Sequence, residues 1–303
     1  MILVGTASWA DKGLVDSGKF YPPTVKNAED RLRYYAEHFP LVEVDSSYYA
    51  LPSADTVQAW ADRTPVGFCF NVKAFRLFTG HQAQPRVLPK DVREALGADP
   101  AKNIYLKDLP EELRQELWKR MREVVEPLRA AGKFGAWHFQ FAPWLAFHPE
   151  NMELLEECCR QLSGDHLAVE FRNSSWFSEK HLERTLELQR GLEVSHVVVD
   201  APRGVKPEIP TVWAVTNPRL GLLRLHGRNA ETWNKKGLKS SSERFNYDYS
   251  ESELEELVPH IQELGSQCQQ VNVLFNNNHE DQGQRNAGTL RRLLGNQLGP
   301  IGD

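Results

Sequence analysis

The chain carries short apolar runs at regular intervals, each followed after a loop by a segment with helical spacing. The runs fall at Ile2–Thr6, Leu41–Asp45, Phe68–Lys73, Gly135–Gln140, Leu167–Arg172, Val194–Asp200, Leu222–His226 and Val271–Asn276. Several intervening helices announce their ends. Asp108-Leu-Pro-Glu-Glu112 supplies a cap, an early proline and acidic first-turn residues, and Ser250-Glu-Ser-Glu253 is a capping box before Leu254, Leu257 and Ile261. Gly164, Gly191, Gly265 and Gly295 are read as helix stops. Eight strands alternating with helices predict an α/β fold, a single (β/α)8 barrel of the TIM type over residues 1–303, ahead of a doubly wound open sheet. The unit between the sixth and seventh strands is the weakest, because Pro202, Pro207, Pro210 and Pro218 leave little room for a helix. Two connections exceed turn length. Ala74–Pro110 follows the third strand as an insertion or lid, and Gly227–Tyr249 follows the seventh as a basic loop.

Parallel strands covered on both faces are usually apolar throughout, yet most of these alternate. Val42 and Val44 alternate with Glu43 and Asp45, Val169 and Phe171 with Glu170 and Arg172, Leu223 and Leu225 with Arg224 and His226. Side chains in a strand change face at every residue, and helices must cover the apolar set. The polar set therefore points to the barrel axis: Glu43, Asp45, Lys73, His138, Gln140, Glu170, Arg172, Arg224, His226 and Asn276. Asp45, Lys73, Gln140, Arg172, His226 and Asn276 stand nearest the strand C-termini, where barrel active sites open, with Glu43, His138, Glu170 and Arg224 one layer below. A salt-bridged core that only fixes register is the competing reading, but charge gathered at one end of a barrel is better explained by a ligand.

Composition narrows the class without naming it. The 303 residues are 41% hydrophobic and 25% charged, with a formal net charge of −5. These values exclude disordered, collagen-like and coiled-coil chains, and mild acidity argues against wholesale coating of nucleic acid. No run is long enough to span a membrane, and Met1-Ile-Leu-Val-Gly-Thr6 lacks the basic start of a signal peptide, so the expected location is the cytoplasm. Cys69, Cys158, Cys159 and Cys268 lack clamp spacing and are read as reduced structural thiols.

Several segments together resemble one known group. They are Gly5-Thr-Ala-Ser-Trp9, Phe20-Tyr-Pro-Pro23, Val42-Glu-Val-Asp-Ser-Ser-Tyr-Tyr49, Phe139-Gln-Phe-Ala-Pro143, Val169-Glu-Phe-Arg172 with Ser175-Trp176, Arg224-Leu-His-Gly-Arg228, Tyr247-Asp-Tyr-Ser250 and Phe275-Asn-Asn277. In this order they resemble the YecE-like family, the "domain of unknown function 72" group, over nearly the whole chain. The resemblance implies a TIM-type barrel in a prokaryotic cytoplasm and no particular reaction. Two departures stand out: Asp45 occupies a position that is Asn in the family pattern, and the Arg76–Pro110 connection is longer.

Three chemistries compete for the polar set. Glu43, Asp45, Glu170, His138 and His226 are potential ligands for a divalent metal, but Lys73, Arg172 and Arg224 in the same space would repel it, so no metal or other cofactor is expected. Anion binding fits better, with Lys73, Arg172, Arg224 and Arg228 on a phosphate or carboxylate, and Asn276 and Gln140 orienting it. Glu170 and His226 are the expected catalytic acid/base pair, His226 titrating near neutrality. Trp9, Tyr48, Tyr49, Trp144 and Trp176 follow strand ends and are expected to cap the mouth. The expected function is thus a hydrolase, lyase or isomerase acting on a small anionic or polyhydroxylated molecule. The alternative is binding or processing of single-stranded nucleic acid by the basic loop, through Arg228, Lys235, Lys236, Lys239 and Arg244 with Trp233 and Tyr247 between them. One decoy drops out. Gly13–Lys19 has the glycine spacing of a phosphate-binding loop, but Phe20 replaces its Ser/Thr and Tyr21-Pro-Pro23 forbids its helix.

Overall fold

The period-two strands close on themselves. In a computed structural model describing residues 1–206, 208–235, 237–238 and 241–299, β1 (Ile2–Ala7), β2 (Leu41–Val44), β3 (Cys69–Lys73), β4 (Phe134–Gln140), β5 (Leu167–Glu170), β6 (Ser195–Asp200), β7 (Leu220–Leu225) and β8 (Gln270–Phe275) form a closed parallel barrel in sequence order. Around it lie α1 (Lys12–Ser17), α2 (Ala28–His38), α3 (Ala54–Asp62), α4 (Lys90–Leu96), α5 (Glu111–Val124), α6 (Glu126–Ala130), α7 (Pro149–Gln161), α8 (Leu182–Gly191), α9 (Glu251–Gln267) and α10 (Gln282–Leu294). Among the described residues no helix joins β6 to β7, as the prolines there require, with Pro207 itself outside the described set. No helix among the described residues is long and apolar enough to cross a membrane.

The alternation resolves into two separate apolar clusters. The outer one joins Val42, Phe70, Trp137, Val169, Leu223 and Val273 to the helices. The inner one holds Leu3, Leu41, Cys69, Ala136, Ala168 and Leu222. Strand β6 contributes Val197 and Val199 inside, so by alternation Asp200 faces outward. The inner cluster runs through the barrel from Leu3 and Leu41 to Val199, Ala201 and Leu274, and Asn71 and Asn272 pair within the barrel at 3.2 Å. Polar groups take over toward the C-terminal end.

The helix signals read from sequence mostly hold. The Ser250 capping box is formed, and α10 ends at Gly295. Gly265 does not stop α9, which runs two residues further to Gln267. The 74–110 connection is a packed substructure rather than a loose lid. It contains 3-10 turns at Arg76–Thr79, Pro85–Val87 and Leu106–Asp108 as well as α4. Phe75, Leu77 and Phe78 are buried, and Phe78 stacks on Trp118 of α5.

The β1–β2 seam is where the barrel depends most on single residues. Direct pairing involves only Thr6↔Val42 and Ala7↔Glu43. Below it the Tyr35 hydroxyl accepts from the Thr6 N–H at 2.9 Å and donates to the Leu41 carbonyl at 2.9 Å. Gly5 makes that approach possible, since a Cβ there would lie 1.8 Å from the Leu41 oxygen. Tyr35→Phe strands two buried backbone groups and should cost about 1–3 kcal/mol. Gly5→Ala should cost more, because backbone has to move. Urea denaturation measures both, and a Tyr35→Phe protein as stable as wild type would remove the bridge from the account.

Candidate active site

Four charged or ionisable side chains meet on the axis of the barrel, each fully buried. Arg224 of β7 donates through Nη2 to Glu43 Oε1 at 2.6 Å and through Nη1 to Glu170 Oε2 at 2.7 Å. His138 of β4 completes the ring, with Nδ1 3.0 Å from Glu43 Oε2 and Nε2 3.2 Å from Glu170 Oε2. The strands bring together residues far apart in sequence because each projects from the inward face of its strand. Burial alone would raise both carboxyls, but Arg224 outweighs it, helped by His138 at Glu43 and His226 at Glu170. Both groups are held below the usual carboxylate range.

Above this ring lies the mouth. Arg172, two residues past β5, donates through Nη1 to Glu170 Oε1 at 2.8 Å. Its side chain is 18% exposed, and among the described residues Nη2 and Nε donate to nothing. Lys73 at the end of β3 pairs with Asp45 at 3.2 Å, and its ammonium lies 5.1 Å from the centre of the Tyr48 ring. Arg76, one turn further on, lies 5.1 Å from the same ring. His81 stands beside Tyr48, their rings 5.4 Å apart. Burial, then the charges of Arg76, Lys73 and Arg172, push its imidazole down to about 4. The rim thus carries one neutral histidine and three cations, Lys73 and Arg172 paired with Asp45 and Glu170 and Arg76 without a carboxylate among the described residues.

Several expected roles change. His226 does not titrate near neutrality, because burial, aided by Arg224 and Arg172 and opposed by Glu170, brings it down to about 3. It stays neutral, with Nε2 3.3 Å from Glu170 Oε1 and Nδ1 2.8 Å from Asn276 Nδ2. Glu170, ion-paired on both oxygens, is a poor proton acceptor for the same electrostatic reason. Gln140 accepts from Arg224 at 3.3 Å, so Gln140 and Asn276 orient the site's own side chains. Arg228 is not an open anion receptor. It makes a two-nitrogen contact to Asp200 at 2.9–3.2 Å, reaches Glu253 at 3.3 Å and lies over Tyr249.

The aromatic cap is also redistributed. Trp176 is buried, stacked on Phe171 and bonded to the Leu145 carbonyl at 2.8 Å. Trp9 is buried edge-on against Trp60 and Phe70, in the outer cluster. Tyr48 keeps its place at the mouth, and Tyr49 and Trp144 are exposed. The ring that covers the mouth comes from the 227–249 loop. Arg172 lies 5.3 Å from the centre of Trp233, and Trp233 and Phe245 approach His226 at 6.0 and 5.9 Å. The loop is clamped at its base: Gly227 N–H donates to Tyr249 Oη at 3.0 Å, and Tyr249 O–H donates to Asp200 at 2.6 Å. Gly227 has φ of 83° and a Cβ there would lie 2.6 Å from that of Tyr247, so only glycine fits. Lys235 is exposed, and Lys236 and Lys239 lie outside the described residues. Among the described residues, no three His, Cys, Asp or Glu side chains are grouped so that they could hold a metal ion.

Known proteins share this whole architecture. The family described as "Protein of unknown function DUF72" matches residues 3–301. The chain belongs to the DUF72 family. Among curated DUF72 relatives, it is 33% identical over 296 residues to the UPF0759 protein YunF of Bacillus subtilis, covering 97% of this chain and 95% of that protein. It is 26% identical over 256 residues to the UPF0759 protein YecE of Escherichia coli K12, covering 78% and 77% of the two chains. A crystal structure of a DUF72 protein from Enterococcus faecalis V583 superposes with a TM-score of 0.79 at 25% identity, covering 99% and 97%. One from Thermotoga maritima MSB8 gives 0.73 at 28% identity, covering 97% and 99%.

Sequence reasoning overlooked four residues in and around this DUF72 mouth. Arg76 and His81 come from an insertion with no strand periodicity to place them. Asp11 caps α1 and accepts from Gly13 N–H at 2.9 Å. Burial raises its carboxyl, and the charge of Asp45 adds to that. Asp200, the partner of Arg228, sits in a run of valines that hides its phase.

Two stability measurements follow from the buried charges. Arg224→Met leaves Glu43 and Glu170 without their cation and should cost about 3–5 kcal/mol in denaturant unfolding. Acid should destabilise the protein well before carboxylates titrate. His81, His166 and His196 are depressed to about 4 and His226 to about 3, all with burial as the leading cause. Their contribution is complete above the unfolded value of about 6.5 and is lost as pH falls toward the folded values, because the unfolded chain takes protons the folded chain refuses. Glu43 and Glu170 add a loss of the same sign below about 4.5. The urea midpoint should therefore fall between pH 7 and pH 5, and a flat profile there would contradict the assignment of neutral buried imidazoles.

Proposed function

We propose that this chain is an enzyme acting on a small anionic molecule held at the C-terminal mouth of the barrel. The observation that supports it most directly is the state of Arg172. Its guanidinium is braced from below by Glu170 and covered by Trp233, with two nitrogens still unengaged among the described residues. A guanidinium fixed in this way offers a planar fork to a phosphate or carboxylate with little ordering left to lose. Lys73 and Arg76 add charge beside Tyr48, each 5.1 Å from the centre of its ring. Asp45 is the more exposed carboxylate of the mouth, paired on one side by Lys73 alone, and we assign proton handling to it. Glu170, His226, Glu43, His138 and Arg224 act as positioning residues beneath. The reading invokes no metal and no redox cofactor.

The nucleic-acid alternative draws less support. Trp233 and Phe245 face His226 and Arg172 inside the mouth, so they are not presented outward as stacking platforms for a strand.

Calorimetry with inorganic phosphate tests the anion site. Arg172→Ala should weaken binding by about 10–100-fold, the worth of a charge-assisted contact, and unchanged affinity overturns the assignment. Turnover needs its own experiment. A pool of phosphorylated and carboxylated metabolites incubated with the protein should lose a compound that the Asp45→Asn variant leaves intact. A pool untouched by the wild-type chain would sink the enzymatic reading. Tight binding of a single-stranded oligonucleotide, falling steeply with salt and weakened by Lys235→Ala, would favour the alternative instead.

A further inference from the structure

Beside the mouth, the 74–110 connection encloses a groove of about 450 Å³. Tyr49, Arg76, Gln82, Gln84, Arg86 and Asn103 supply its polar and aromatic wall. Arg76 belongs to both spaces. In the mouth it shares the Tyr48 ring with Lys73, and in the groove it is part of the lining. Its Nε is buried without a hydrogen-bond partner, and among the described residues its guanidinium has no carboxylate. A guanidinium that lines both spaces and has no carboxylate partner is available to an anionic group.

The groove is pre-formed. Ala83 and Ile104 exchange backbone hydrogen bonds at 2.8 and 2.9 Å, an isolated antiparallel bridge that ties the outgoing and returning halves of the connection together. Leu77 and Phe78, buried in the outer core, hold the same segment down. The lining chemistry is specific in kind. Among the described residues the side-chain amides of Gln82, Gln84 and Asn103 make no hydrogen bond, so three donor–acceptor groups face the space uncommitted. Tyr49 presents a ring that is 56% exposed. Paired amides read hydroxyl groups, because each offers both a donor and an acceptor. An exposed aromatic face takes the C–H face of a sugar ring.

We infer that the groove is a second half of the binding site and receives the hydroxylated body of a sugar phosphate whose phosphate lies in the mouth. This rests on the mouth being an anion site, and it adds the class of molecule attached to that anion. Arg76 sits at the joint, where phosphate and sugar meet. Arg86, exposed and without an ion pair among the described residues, lies at the outer part of the groove. A volume of this size falls within the usual range of small-molecule sites.

Calorimetry at one ionic strength with inorganic phosphate, ribose 5-phosphate and glucose 6-phosphate separates the two halves. At least one sugar phosphate should bind about tenfold or more tightly than phosphate, the gain expected from two or three added hydrogen bonds. Gln84→Ala combined with Arg86→Ala should remove that gain and leave phosphate affinity within about twofold of wild type. Both side chains are exposed, so the variant has no buried contact to lose. If phosphate binds but neither sugar phosphate binds more tightly, or if the variant keeps the gain, the groove is not part of the site and the mouth reading stands. If no probe binds, the anion site fails and the groove inference falls with it.

Discussion

Everything at the functional end of this barrel depends on one buried guanidinium. Arg224 sits on the axis between Glu43 and Glu170, bonded to both at 2.6–2.7 Å. A lone arginine there would cost several kcal/mol, and so would either carboxylate alone. Together with His138 they close a ring in which each charge faces its opposite. Such a ring is a weak source of stability compared with aliphatic packing, since the desolvation of its members offsets most of their attraction. What it supplies is geometry. Strands β2, β4, β5 and β7 are tied together across the axis by contacts that tolerate little displacement.

That geometry is handed upward through Glu170. Its Oε2 serves Arg224 below, and its Oε1 holds Arg172 above at 2.8 Å and faces His226 at 3.3 Å. Arg172 lies beyond the end of β5, where backbone pairing no longer fixes it, so its orientation comes from this ion pair and from the Trp233 ring. Burial is the main reason that His226 and His81 stay neutral, and the fixed cations near each add to it, against the pull of Glu170 at His226. An acid/base group in this mouth has to sit nearer solvent, which is where Asp45 is found, its side chain 24% exposed.

The sequence pattern carried the architecture well because period-two alternation is a local property. Glu43 beside Val42 and Val44, or Arg224 beside Leu223 and Leu225, shows which face is inner before any contact is known. The inward placement of Glu43, His138, Glu170 and Arg224 follows from that. Where the reading failed, the missing information was long-range. Trp9 and Trp176 follow strand ends just as Tyr48 does, and only the packing of Trp60 and Phe171 decides that they turn outward into the helical layer. Arg228 looks like an anion receptor until Asp200, from the neighbouring strand, is seen to occupy it. The neutral state of His226 was equally illegible, since it reflects burial and two cations from other elements.

The cover over the mouth argues for what kind of ligand belongs there. Loop 227–249 leaves the barrel through Gly227 and returns through Tyr249, and the two ends are bonded to each other and to Asp200. Within that loop Trp233 and Phe245 meet at 5.9 Å and approach His226 at 6.0 and 5.9 Å, with Arg172 5.3 Å from the centre of the Trp233 ring. A surface meant for a polymer would leave its aromatic faces and its cations continuous along an open track. Here the aromatics close over the cations from one side, and the 74–110 substructure walls them from the other. Arg172 keeps 18% of its side chain exposed there, and a guanidinium so far withdrawn from bulk solvent acts at a lower effective dielectric. On the function proposed above, that favours a small molecule over an extended chain.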